Sequence, residues 1–146
     1  MGKLIYVFMA AAAGLAMAVQ GSLNALLGKV IGFLESTLVV HVLGTLILCF
    51  LLFVLHLGEG NWSQWQQAPW YAYLGGGLNV LIIFGVLFSI SRLGVTNATN
   101  VIIVFQILTA VLIDHCGWFG VEKKPFRWWD ILGIVLLGSA ARILLK

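Results

Sequence analysis

Long apolar runs alternate with short polar segments along this chain: Leu4–Leu27, Thr37–Leu57, Trp70–Ile90, Thr96–Ile113 and Trp129–Leu145. About 20 consecutive apolar residues cross a bilayer as a helix, with roughly 17–25 tolerated. The pattern predicts an all-α integral membrane protein with five transmembrane helices, the last two near the lower length limit. The connections are short, so sequential helices are expected to be neighbours and to run antiparallel. Pro69 and Pro125 both fall between the runs, where they break no helix. No hydrophilic linker divides the chain, which reads as a single five-helix transmembrane domain over residues 1–146. The first run has Lys3 ahead of it and Ala16-Met17-Ala18 within it, as a secretory signal with its cleavage site would. The apolar stretch continues past that triplet to Leu27, and we read it as a membrane helix.

Composition supports the same class. Hydrophobic residues make up 62% of the 146, against 8 Lys and Arg and 5 Asp and Glu. A soluble fold of this length needs far more polar surface. The net charge of +3 comes from scattered residues, and no Lys/Arg stripe is present to follow a phosphate track. Nucleic acid is therefore not an expected partner. Cys49 and Cys116 are too far apart in sequence to suggest a zinc site or a disulfide framework. Asn61-Trp62-Ser63 fits a glycosylation sequon, a triplet common by chance. No Ser-His-Asp spacing, metal-ligand cluster or phosphate loop occurs, so neither an enzyme nor a cofactor is expected.

The placement of charge changes the picture further. With five spans, the N-terminal face carries Lys3, Lys123, Lys124 and Arg127, and the opposite face carries Lys29, Arg92, Arg142 and Lys146. Orientation in a membrane follows the Lys/Arg bias of short loops, and here no bias exists. Both orientations are then open to the chain, and an antiparallel homodimer in membrane lipid is the expected assembly. Trp62, Trp65, Trp70, Trp118, Trp128 and Trp129 all fall on the N-terminal face. Indole rings anchor at headgroup level, usually at both interfaces. Two oppositely inserted copies would anchor both.

Candidate chemistry lies in the small and polar residues inside the spans. Ala11, Gly14, Ala18, Gly21, Ala25 and Gly28 recur at steps of three and four and share one helix face. Small side chains let helices approach closely in lipid, so Gly14, Ala18, Gly21 and Ala25 are assigned to helix packing, with a substrate crevice as the sharper alternative. Gln20 and Asn24 sit beside that stripe; His41, Asn79, Asn97, Asn100 and Gln106 follow on later spans. A buried amide in hydrocarbon needs a partner or costs roughly 2–7 kcal/mol. Singly, each could be interhelical glue. Together, Gln20, Asn24, Asn79, Asn100 and Gln106 form a candidate polar path, with His41 as the candidate proton-linked group or, alternatively, a neutral imidazole satisfied by a backbone carbonyl or a neighbouring amide. No Asp or Glu lies at the centre of a span, while Glu35 and Asp114 sit near span ends. A neutral or zwitterionic polar solute suits amide ligands better than a cation. Antiparallel copies would face each other as inverted repeats do in secondary transporters, giving alternating access. A non-transporting scaffold or channel subunit, and half of a heterodimeric transporter, are the alternatives.

The order Gln20…Asn24-Ala25…Gly28, Pro69-Trp70…Leu74-Gly75-Gly76, Leu93-Gly94, Gln106, Ile113-Asp114-His115-Cys116-Gly117-Trp118-Phe119-Gly120 and Leu132-Gly133 resembles the YdcZ-type family of the drug/metabolite transporter superfamily. The most specific piece is the Ile-Asp-His-x-Gly-x-x-Gly segment. The resemblance implies a five-helix half-transporter of the bacterial inner membrane. It implies pairing as a dual-topology homodimer, as two opposed chains, or as a fused ten-helix chain. This sequence departs from the family pattern at Cys116, where Phe is usual, at Phe105, where a small residue is common, and at Asp130, where Arg is frequent. The small multidrug resistance proteins are cousins by the same resemblance. They carry a glutamate in the first span, which this chain lacks.

Overall fold

Helices follow the apolar runs closely. The computed structural model describes residues 2–145. Lys146, counted above among the charges of the second face, lies outside them. The α-helices are α1 (Gly2–Ile31), α2 (Phe33–Cys49), α3 (Leu74–Leu93), α4 (Val95–Cys116) and α5 (Trp128–Leu144). A π-helical turn, Phe50–Val54, extends α2, and a 3-10 turn, Trp70–Tyr73, leads into α3. Among the described residues there are four helices long and apolar enough to cross a membrane: Gly2–Ile31, Phe33–Val54, Trp70–Leu93 and Val95–Cys116. At 17 residues, α5 is about 25 Å long, short of the roughly 30 Å hydrocarbon core. Large apolar side chains stand exposed along every α-helix, as lipid-facing surfaces require. The chain divides into two compact units, Met1–Ser91 and Arg92–Lys146.

In the first unit α1 and α2 meet with a single residue between them. Gly32 makes that junction at φ 103°, and a Cβ there would collide with the Glu35 carboxylate. The ladder nearly continues through it: the Gly32 N–H donates to the Gly28 carbonyl and the Ser36 N–H to the Gly32 carbonyl, both at 3.0 Å. For this reason α2 begins at Phe33, four residues before the Thr37 expected from hydropathy. The fully buried Ser36 hydroxyl donates back to the Asn24 carbonyl at 3.1 Å and ties the two helices together.

The small stripe of α1 divides along its length. Gly21, Ala25 and Gly28 are buried, as is Asn24 between them. A Cβ on Gly21 would come 2.7 Å from Ile90 Cδ1, and one on Gly28 would come 2.6 Å from the Phe33 ring and 3.2 Å from Leu87. Absent side chains thus admit Ile90 and Leu87 of α3 and Phe33 of α2 to the backbone of α1, a use of small residues that holds helices together in lipid. Phe33 meets Phe88 of α3 edge-to-face, with ring centroids 5.4 Å apart. Towards the N-terminus the stripe opens: Ala18 is half-buried, and Gly14 is exposed with nothing within 4 Å of its Cβ position.

In the second unit Gly94, at φ 81°, precedes α4 and accepts the Ala98 N–H at 3.1 Å. Gly117 ends α4 in the left-handed conformation and donates to the Ile113 carbonyl at 2.8 Å, a common glycine stop. The chain then returns to α5, where Asp130 accepts the Arg127 N–H at 2.8 Å and caps the helix start.

Candidate solute site

Gln20 and Asn24 lie one turn apart on α1, and both line one crevice. Met17 and Gly21 complete its α1 side, and Ile82, Ile83 and Val86 of α3 form the other. Its volume is ≈ 50 Å³. That suffices for a water molecule but not for a metabolite, whose sites span about 300–1,000 Å³. Among the described residues, no hydrogen bond satisfies either amide side chain: Asn24 engages α2 only through its main-chain carbonyl. Asn24 is buried and Gln20 exposed, so the amides run from the helix contact towards the open side. This arrangement offers donors and acceptors beside an apolar wall.

A second polar pair joins α2 to α3. Helix α2 starts early, so His41 stands eight residues inside it, about 12 Å along the axis. Its Nδ1 lies 2.7 Å from the Thr37 carbonyl oxygen. Its Nε2 lies 3.1 Å from Asn79 Nδ2. A carbonyl can only accept and an amide nitrogen can only donate. This geometry fits the tautomer with Nδ1–H donating to Thr37 and Nε2 accepting from Asn79. A second proton on Nε2 would face the amide N–H, and the pair would hold only if Asn79 turned its oxygen inward. The charged side chains of these three helices are Lys3, Lys29, Glu35 and Arg92, all near helix ends.

Asn100 and Gln106 lie on α4 in the second unit. Asn100 is half-buried, and its Nδ2 is a buried atom without a hydrogen-bond partner. Gln106 is exposed and equally without one among the described residues. Within the first unit the polar residues expected to share a path fall into two pairs, Gln20 with Asn24 and His41 with Asn79; Asn100 and Gln106 lie on α4 of the second unit. For His41 the sequence offered a backbone carbonyl or a neighbouring amide as the plainer partner, and the structure supplies both, in Thr37 and Asn79. Sequence reasoning missed the Ile82, Ile83 and Val86 wall, for which apolar residues within a uniformly apolar helix carry no distinguishing signal.

The family model described as "Putative inner membrane exporter, YdcZ" matches residues 5–143. The chain belongs to the YdcZ family, and is a multi-pass inner membrane protein of transmembrane transport. No curated protein and no solved structure is a match for it.

Proposed function

We propose that this chain is a five-span half-transporter that exports a small neutral or zwitterionic polar solute. In this reading α5 completes the fifth span, and two copies inserted in opposite orientations form one carrier with alternating access. Gln20, Asn24, Asn79, Asn100 and Gln106 bind along the path, and His41 exchanges the proton that drives it. The observation that carries the reading is the Gln20–Asn24 crevice: two unsatisfied amides at a site too small for a solute. Unsatisfied amides inside a membrane protein cost free energy unless something binds them. A second copy covering the open side of the crevice, where Gln20 is exposed, would extend it into a larger site. The even division of Lys and Arg between the two faces supports opposed insertion.

Two experiments test it. Reporters fused to the C-terminus, in cells making no related subunit, are expected to show both orientations. A single orientation would overturn the homodimer and favour a heterodimeric partner. Separately, purified protein is screened by thermal shift against neutral amino acids, amides and polyols, since a ligand of the native form raises apparent stability. A hit should exchange across liposomes with counterflow. Binding without exchange would favour a scaffold or channel subunit. Gln20→Ala is expected to weaken solute binding at least tenfold, about 1.4 kcal/mol, with dimer formation unchanged. Normal binding by that variant would remove Gln20 from the path.

A further inference from the structure

A larger cavity lies in the second unit, between the end of α4 and the start of α5. Its volume is ≈ 460 Å³, and its lining includes Val111, Asp114, Lys124, Phe126, Arg127 and Asp130. Main-chain bonds hold its walls. The Lys124 N–H donates to the Asp114 carbonyl at 2.8 Å. The Phe126 N–H donates to His115 Nδ1 at 3.2 Å, with the two rings edge-to-face. The loop therefore keeps its course without using the charged ends of Asp114, Lys124 or Arg127. Among the described residues those three ends form no ion pair. Lys124, Arg127 and Asp114 thus line one cavity with no ion pair among them, while Asp130 is engaged in the cap of α5. Unpaired charges of both signs suit a ligand carrying both.

Depth in the membrane points to the ligand's source. Trp128 and Trp129 directly follow Arg127, and Trp118 lies on the same loop between α4 and α5; all three are exposed. Indole rings settle at headgroup level. The cavity is then held where phospholipid headgroups are abundant, and its volume lies within the range of small-molecule sites.

We infer that this cavity binds the headgroup of a zwitterionic phospholipid, with its phosphate on Lys124 and Arg127 and its ammonium on Asp114. Guanidinium and ammonium groups bind phosphate oxygens through charge-assisted hydrogen bonds. The Asp114 carboxylate takes the opposite end, so an ethanolamine headgroup is preferred over glycerol. The site is separate from the proposed solute path and stands or falls without it.

The test is native mass spectrometry of the full chain in detergent. Phosphatidylethanolamine, phosphatidylglycerol and diacylglycerol are added in turn. Phosphatidylethanolamine is expected to be retained most strongly and diacylglycerol least. The double variant Lys124→Gln, Arg127→Gln removes both phosphate contacts and should reduce phosphatidylethanolamine retention at least about tenfold. Asp114→Asn should abolish the preference over phosphatidylglycerol while retaining the phosphate arm. Lys124→Arg, Arg127→Lys should bind as the unaltered chain does, and it keeps the proposal testable if the neutral variant misfolds. Equal retention of all three lipids, or unchanged retention by the double variant, would overturn the site. Competition by millimolar glycerophosphoethanolamine or inorganic phosphate would overturn the lipid as its source.

Discussion

His41→Gln is expected to abolish proton-driven solute accumulation in liposomes while leaving solute-for-solute exchange intact. The glutamine amide can still bond to both Thr37 and Asn79, but it cannot carry a proton. In the neutral state His41 Nε2 accepts from Asn79 Nδ2 at 3.1 Å while Nδ1–H is committed to Thr37 at 2.7 Å. Adding a proton at Nε2 opposes two donors across the α2–α3 contact. Asn79 must then reverse its amide or move away, so the proton and the helix contact are linked. One pH unit is worth about 1.4 kcal/mol per proton, a tenfold accumulation ratio for one-to-one exchange of a neutral solute. His41→Gln should bring that ratio to one. The measurement is uptake of the solute identified by thermal shift, with and without an imposed pH gradient. Exchange without a gradient moves no net proton and should be preserved. Tenfold accumulation by the variant would place the proton elsewhere.

The second large effect concerns packing. Gly28→Val is expected to destabilise the fold by about 1–3 kcal/mol, read from denaturant unfolding in bicelles. A Cβ at this position would lie 2.6 Å from Phe33 Cδ1 and 3.2 Å from Leu87 Cδ1. Neither neighbour yields easily. Leu87 is fully buried, and the Phe33 ring is held against Phe88. Gly14→Val provides the contrast, because no atom lies within 4 Å of its Cβ position. It should leave the stability of a single chain unchanged. Should Gly14→Val nevertheless disrupt association between copies, the open end of the stripe would be the face the second copy covers. Equal stability of Gly28→Val and the unaltered chain would show that Phe33 and Leu87 move aside without cost.

These two cases show where sequence information ran out. Spacing placed Gly14 and Gly28 on one helix face, and the same reasoning assigned that face to packing. It could not tell that Gly28 is enclosed while Gly14 is bare, since both have the same local sequence pattern of small residues at steps of three and four. The difference arises because Gly32 turns the chain within one residue and brings Phe33 back against α1. Hydropathy placed the start of α2 at Thr37 because Glu35 and Ser36 are polar. In the fold, Ser36 is buried by bonding to the Asn24 carbonyl, a partner that periodicity does not report.

The amides show the same division. Gln20 and Asn24 are four residues apart, so a shared helix face followed from sequence alone. His41 and Asn79 are 38 residues apart, and only the fold brings their side chains together. Asn100 was a path candidate from sequence alongside the other span amides, but that its Nδ2 is buried without a partner follows only from the fold.

By itself the amino-acid order determined that the chain is helical and belongs in a membrane, because a long apolar run can satisfy its backbone in lipid only by coiling on itself. It also determined which face of α1 would be small. Tertiary structure alone decided which glycines are enclosed, which partners His41 meets, and which charges around the α4–α5 loop remain unpaired. Those outcomes depend on distances between residues far apart in the chain. Such distances are set by how side chains fill the space between helices, which no local pattern contains.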